Sequence, residues 1–333
     1  MVEPTLVAVA DDDHQGHHSF EDAPDLWSKD IRLSIAPAMA LNGWIILDKP
    51  VGLGSTQAVG AVKRVMRQAG QPRTRVGHGG TLDPLASGVL PIAIGEATKL
   101  VGRVLDAVKA YDFTIRFGEE TDTLDLEGQV VAKSDARPSR EEIEQILPRF
   151  TGPILQTPPA FSALKVDGRR AYDLARSGQA PQLEARQVTV HDLQAGEAGP
   201  DEVTLSATVS KGTYIRSLAR DIAHALGTVG HLTMLRRTRA DPFTLSQAIS
   251  MDLLNSLVNP GDLERAVLPL TAALGDTPML SVTEDEARLL RTGQRLTGHP
   301  LKPGTYLAVE GELPVALVEL DAGEISVVRG FNL

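Results

Sequence analysis

The chain has 333 residues, 42% of them hydrophobic, enough for one large domain or two ordinary ones around a packed core. It contains no cysteine, which excludes disulfides, zinc–thiolate and iron–sulfur centres and cysteine nucleophiles together, and points to the cytoplasm. A net charge of −10 argues against a polyanionic partner if the charge is uniform, but it is not: residues 1–40 contribute −6 and residues 275–333 contribute −4, leaving residues 41–274 neutral.

Residues 1–41 carry Asp11, Asp12 and Asp13 and no periodic apolar pattern, and are expected to form a disordered acidic tail. His14, His17 and His18 within it have no metal-ligand spacing, so no metal is expected there. Neither a signal peptide nor a run of about 18 apolar residues follows, so no membrane association is expected. Gly43–Leu47 reads as a buried strand, Asp48–Gly52 as the turn that ends it, and Ser55 as the N-cap of an amphipathic helix. That helix places Ala58, Val59, Val62, Val65 and Met66 inside and Lys63, Arg64 and Arg67 outside.

The stretch Gly77-His78-Gly79-Gly80-Thr81-Leu82-Asp83-Pro84-Leu85-Ala86-Ser87-Gly88-Val89-Leu90-Pro91 is a glycine-rich loop running into an apolar strand. Glycines let a backbone approach a ligand closely, and Pro84 stiffens the chain behind Asp83. On residue type alone Asp83 also fits an Asx-turn or a helix cap. A helix is expected over Ala97–Val108, then a strand over Ala110–Phe117 with Tyr111, Phe113, Ile115 and Phe117 on one face. Helices at 139–149, 169–177 and 213–226 and strands at 187–193, 202–210 and 230–239 interleave without a strict βαβ repeat, predicting a mixed sheet with packed helices. An Ala-rich helical stretch follows Pro269. Short strands at 305–309, 315–320 and 325–329 then suggest a small β-barrel.

The fifteen residues Gly77–Pro91 resemble the catalytic-loop signature of TruB-type pseudouridine synthases, the TruB/dyskerin branch. Leu47–Gly52, the strand bearing Tyr111 and Ser210–Leu218 match further blocks in the same order, and the resemblance spans about Asn42 to Asp241. It implies an α+β pseudouridine synthase fold, with a central mixed, mainly antiparallel sheet flanked by helices over residues 42–274 and a PUA-like β-barrel over 275–333. It also implies isomerisation of one uridine in the T-loop of tRNA, at the expected position 55, by a monomer that needs no cofactor and contacts the T-loop and acceptor stem.

By the same resemblance Asp83 is the nucleophile, attacking C6 or C1′ or assisting proton removal at C2′. Arg216 is its cationic partner. Tyr111 is the platform for a base turned out of its stack and the acceptor of the C5 proton. His78 fills the vacancy that the base leaves. Lys49 and Pro50 pack beneath the loop, with Lys49 counted among the substrate-side residues. Tyr214 lines the pocket, Lys165 lies in an insertion over Ser162–Tyr172 that grips the T-loop, and Lys211 meets the RNA. Gly79 stands where the family pattern more often has Thr, which would loosen a contact beside the loop.

Two basic clusters are expected to form a phosphate track: Lys211, Arg216, Arg220, Arg236, Arg237 and Arg239, and Lys63, Arg64 and Arg67 with Arg73 and Arg75. The competing readings are a non-catalytic tRNA-binding protein on this scaffold, a guide-RNA-dependent synthase, and a nucleotide site built on the glycine loop. The last lacks both the Gly-Lys-Ser/Thr ending of a P-loop and a GxGxxG after a strand.

Overall fold

The computed structural model describes residues 40–162, 164–166, 168–179 and 183–333; the acidic segment up to residue 39, with His14, His17 and His18, lies outside them. The first strand, β1 (Gly43–Lys49), is buried on both faces, and its two-residue period sends its side chains to two different cores. Ile45 and Leu47 pack with the apolar face of α1 (Ser55–Gln68), whereas Trp44 and Ile46 pack with Phe243, Leu270 and residues from the far end of the chain. Two short runs complete this corner: β2 (Val76–His78) lies antiparallel to β3 (Ser87–Ile94), which also pairs with β1.

The expected helix over Ala97–Val108 is shorter than its pattern. A 3₁₀ turn at Gly95–Leu100 leads into α2 (Val101–Asp106), and the Lys109 ammonium ends the helix by donating to the carbonyls of Val104, Leu105 and Ala107. Strand β4 (Lys109–Phe117) follows, then the hairpin β5 (Glu119–Thr121) and β6 (Val130–Lys133), α3 (Arg140–Ile146) and β7 (Gly152–Gln156). The hairpin β8 (Lys165–Val166) and β9 (Arg169–Arg170) with α4 (Ala171–Arg176) comes before β10 (Arg186–Ala198), β11 (Glu202–Val209), α5 (Ile215–Ala225) and β12 (Gly230–Ala240). Phe113, Ile115 and Phe117 of β4 face Leu218, Ala219 and Ile222 of α5 in one buried cluster. Burying each such large side chain contributes about 1.5–3 kcal/mol.

Strand β13 (Phe243–Thr244), helices α6 (Met251–Ser256) and α7 (Pro260–Ala266) and strand β14 (Leu268–Pro269) close the first sheet. Its order is β14-β1-β3-β12-β4-β11-β10-β7, with β12 and β3 parallel and the other neighbours antiparallel, so the sheet is mixed and mainly antiparallel as expected. The Ala-rich stretch after Pro269 makes only one 3₁₀ turn, Leu270–Ala273.

The last segment is a curled five-stranded sheet rather than strands alone. Strand β15 (Met279–Ser281) and helix α8 (Glu284–Arg291) precede β16 (Leu296–Thr297), β17 (Gly304–Glu310), β18 (Leu313–Asp321) and β19 (Glu324–Gly330). Helix α8 carries a legible start, because Thr283 caps it and Glu286 bonds back to the Thr283 N–H. Leu307 and Leu317 of this sheet, with Phe331 just after β19, share a cluster with Trp44 and Phe243, so the second sheet is docked through apolar packing. Among the described residues no helix is long and apolar enough to cross a membrane.

The parallel contact between β3 and β12 leaves no room for a side chain at Gly88, which has φ +101°, and a Cβ there would lie 2.1 Å from the Arg237 carbonyl oxygen. Gly88→Ala combines backbone strain with overpacking, and we expect it to lower unfolding free energy by about 3 kcal/mol or more. Urea denaturation checks this, and a loss below about 1 kcal/mol would contradict the packing described here.

Candidate active site

Asp83 sits on the loop between β2 and β3, and that loop is fixed from several directions. Ser55 is not the cap of α1; Gly54 is, and its N–H bonds to the Gln57 side chain. As the first residue of the helix, Ser55 faces inward, and its hydroxyl donates to the Leu82 carbonyl and accepts from the Leu82 N–H, both at 2.8 Å. Lys49 is wholly buried, and its ammonium donates to the carbonyls of Pro50, Leu53 and Pro84. It therefore braces the loop and has no donor left for a substrate. Gly52 adds its N–H to the Pro84 carbonyl, and the buried Arg237 donates to the carbonyls of Gly80, Thr81 and Val89.

On this frame the Asp83 side chain is 41% exposed and its Oδ2 lies 3.0 Å from a guanidinium nitrogen of Arg216, itself 7% exposed. Arg216 stands in the first turn of α5 and also donates to the Thr123 and Phe161 carbonyls. Its other acidic neighbour, Asp125, is 3.5 Å away and 10% exposed. Asp125 was not legible in the sequence as a site residue. Its Oδ1 accepts from the Thr123 hydroxyl at 2.6 Å and from the Glu127 N–H, so that oxygen is committed between β5 and β6 while Oδ2 faces Arg216. Two carboxylates thus share one guanidinium and both border the cleft, Asp83 being the more exposed of the two. A shallow cleft lies over the pair, lined further by Leu85, Ala86, Leu232, Thr233, Met234 and Leu235. A bulge in β12 falls between Leu232 and Met234, where the strand lines the cleft.

Tyr111 is half-buried at the seam where the α1 and α5 cores meet, as is Leu235. His78 ends β2 and lies on the strand instead of in the loop proper. Its Nδ1 is buried without a hydrogen-bond partner, and burial, reinforced by the Arg237 charge, holds its pKa below the ordinary value. The imidazole is therefore favoured neutral, which suits a ring that must pack. Tyr214 precedes α5, with Gln156 bonded to both its N–H and carbonyl and the Arg186 guanidinium over its ring at 5.1 Å. Lys165 lies in β8, apart from this cluster in the chain's order; its side chain is outside what the structure describes.

Two expectations need correction. Gly79 keeps its backbone contact, its N–H bonding to the Pro91 carbonyl, and the space beside it is close, since a Cβ there would meet Val104 at 2.9 Å and Pro91 at 3.5 Å. The cluster Lys211 to Arg239 is not a free phosphate track either. Lys211 pairs with Asp106, Arg220 with Asp221, Arg236 with Asp48 and Arg239 with Asp241, while Arg216 and Arg237 are buried. Two of these acids, Asp48 and Asp106, come from other parts of the chain, so a windowed count of charge misses them. Lys63, Arg64, Arg67, Arg73 and Arg75, in contrast, are exposed and form no ion pair among the described residues.

Comparison with known proteins adds to this geometry. Residues 63–215 match the TruB family pseudouridylate synthase N-terminal domain, and residues 216–275 the tRNA pseudouridylate synthase B C-terminal domain. A tRNA pseudouridine synthase B of Novosphingobium aromaticivorans is 59% identical over 298 residues, covering 88% of this chain and 98% of that protein. The one from Zymomonas mobilis is 55% identical over 300 residues, covering 90% and 99%. Among solved structures, an H/ACA RNP bound to a substrate RNA containing 2′-deoxyuridine superposes with a TM-score of 0.66 at 25% identity, covering 87% of this chain and 85% of the other.

The buried lysines give a pH signature. Burial, the larger cause in each case, lowers the pKa of both Lys49 and Lys109 to about 8, with the Arg237 charge acting in the same direction. Unfolded lysine titrates near 10.4, so between pH 8 and that value the unfolded chain holds protons that the folded chain has released. These groups therefore make stability rise with pH across that window, and their contribution is lost as pH falls through 8. We expect Lys109→Met to reduce the proton uptake on unfolding at pH 9 by about one, measured by calorimetry in buffers of different ionisation enthalpy. Unchanged uptake would contradict the depressed value.

Proposed function

The chain belongs to the TruB family of pseudouridine synthases, and on that premise we propose that it isomerises one uridine in the T-loop of tRNA, at position 55, with Asp83 as nucleophile. The observation that carries this reading is the exposed Asp83 carboxylate held 3.0 Å from a buried Arg216 on a rigid loop.

A carboxylate working against RNA needs a fixed cation beside it, and Arg216 supplies one without leaving its own carbonyl partners. The target base leaves its stack to enter the cleft. Asp83 bonds to C6 or C1′, or takes the C2′ proton; the N1–C1′ bond breaks, the base turns, and C5 joins C1′, with the Asp83 bond broken, or the C2′ proton returned, by the end. The C5 proton leaves to Tyr111 and N1 gains one, so atoms balance without an oxidant or reductant. Leu85, Met234 and Leu235 provide apolar walls for the base, and the His78 ring fills the gap left in the RNA stack. Tyr214, Lys165 and Lys211 border the RNA path. The exposed cations of α1 with Arg73 and Arg75 take the phosphates, since Lys63 and Arg67 are one helical turn apart on the same face.

The enzyme acts as a stand-alone monomer in the cytoplasm. Residues 42–274 form the catalytic domain, and residues 275–333, with their excess of acids, form a PUA-like module whose contact with the acceptor end is small.

Tritium release from tRNA labelled with [5-³H]uridine tests the reading. Wild type releases tritium and Asp83→Asn does not, while Tyr111→Phe keeps tRNA binding and turns over about 10²–10⁴-fold more slowly. Tight tRNA binding by a wild type that releases no tritium would make the chain a binding protein.

A further inference from the structure

Arg237 is a cation in the core of the site for which the chemistry above has no use. Its side chain is 1% exposed, and it pairs with no carboxylate among the described residues. Leaving a guanidinium in the interior without an anion is costly, several kcal/mol after relaxation, and an apolar side chain of similar volume would serve packing better. What it does instead is chemical. Nε donates to the Val89 carbonyl at 2.7 Å, one terminal nitrogen to Gly80 at 3.1 Å, and the other to Thr81 at 3.3 Å.

Those carbonyls lie on both sides of Asp83, so a single planar group closes the loop that carries the nucleophile. The loop is shaped to it. Gly80, at φ +134°, would place a Cβ 3.4 Å from the Arg237 terminal nitrogen, and Gly88, at φ +101°, lies against the Arg237 backbone. Arg237 is also the register partner of Tyr111 across β4 and β12, so one residue sets both the loop and the strand position of the proposed proton acceptor. Its field reaches Lys49, His78 and Lys109, each of which it disfavours in the charged form.

We propose that Arg237 is a positioning residue for the reaction: its guanidinium fork clamps the Gly80–Val89 loop and fixes the angle at which Asp83 meets the nucleotide. The inference rests on the isomerase reading. Fork geometry matters as well as charge, because a lysine offers a point charge at its tip and cannot serve Val89, Gly80 and Thr81 together.

Arg237→Lys and Gly80→Ala separate this role from a merely structural one. The first keeps the charge and loses the fork; the second keeps Arg237 and changes the carbonyl presented to it. Single-turnover tritium release, normalised to folded protein, is measured beside tRNA affinity by filter binding and hydrogen exchange of residues 80–90. The expected result for Arg237→Lys is a fall of about 30-fold or more in the rate at saturating enzyme, equivalent to about 2 kcal/mol, with tRNA affinity within about threefold of wild type. Exchange is expected to be faster in the loop and unchanged in α5. Should Arg237→Lys fail to melt cooperatively, Gly80→Ala is expected to show the same split. A wild-type rate per folded molecule in both variants would overturn the proposal while leaving the isomerase reading intact. A wild type that releases no tritium would overturn both.

Discussion

The segment from Gly80 to Ala86 has no ladder of its own, so its carbonyls must find donors from the surrounding structure, and buried cations supply them. Arg237 takes Gly80 and Thr81, Lys49 takes Pro84, and the Ser55 hydroxyl takes Leu82. Hydrogen bonds from a charged donor contribute roughly 1.5–3 kcal/mol each, so the three from Arg237 are of the same order as the several kcal/mol needed to bury it. The arrangement gains little stability. It gains a loop with one conformation, and every other feature of the site depends on that.

Rigidity explains how an acidic chain could present the proposed nucleophile to a polyanion. Asp83 is exposed at the loop's surface, but the positive charge that neutralises it comes from beneath, through an Arg216 shared with Asp125. Arg216 donates to two backbone carbonyls as well, so it does not follow the substrate's phosphates. Under the proposed function, attraction for RNA is left to cations elsewhere, the exposed set from Lys63 to Arg75 that forms no ion pair among the described residues. On the proposed reading, catalytic charge and docking charge are carried by different residues.

Much of this was legible in the sequence, and the misses have physical causes. The strands were found because their apolar residues alternate: Phe113, Ile115 and Phe117 on β4, and the unbroken run of β1, buried on both faces. The pairing of Arg216 with Asp83 was anticipated through resemblance, not spacing, since 133 positions separate the two residues in the chain. Asp125, Ser55 and Arg237 were not identified as site-building residues because their partners are backbone groups or distant side chains, which leave no periodic trace. Ser55 shows this most clearly: a serine at a helix start reads as a cap, and only the folded chain reveals Leu82 opposite its hydroxyl. The basic cluster after residue 210 reads as a free track for the converse reason, since two of its anions, Asp48 and Asp106, lie far away in the chain.

The central claim is that the carboxylate on this braced loop performs an isomerisation at one uridine of tRNA. A mass-spectrometric map of tRNA from a strain lacking the chain, complemented with wild type or with Asp83→Asn, tests it most directly. The account predicts that pseudouridine is missing from one T-loop uridine in that strain, returns with wild type and stays missing with Asp83→Asn. An unchanged map in the strain lacking the chain, or full restoration by Asp83→Asn, would contradict it.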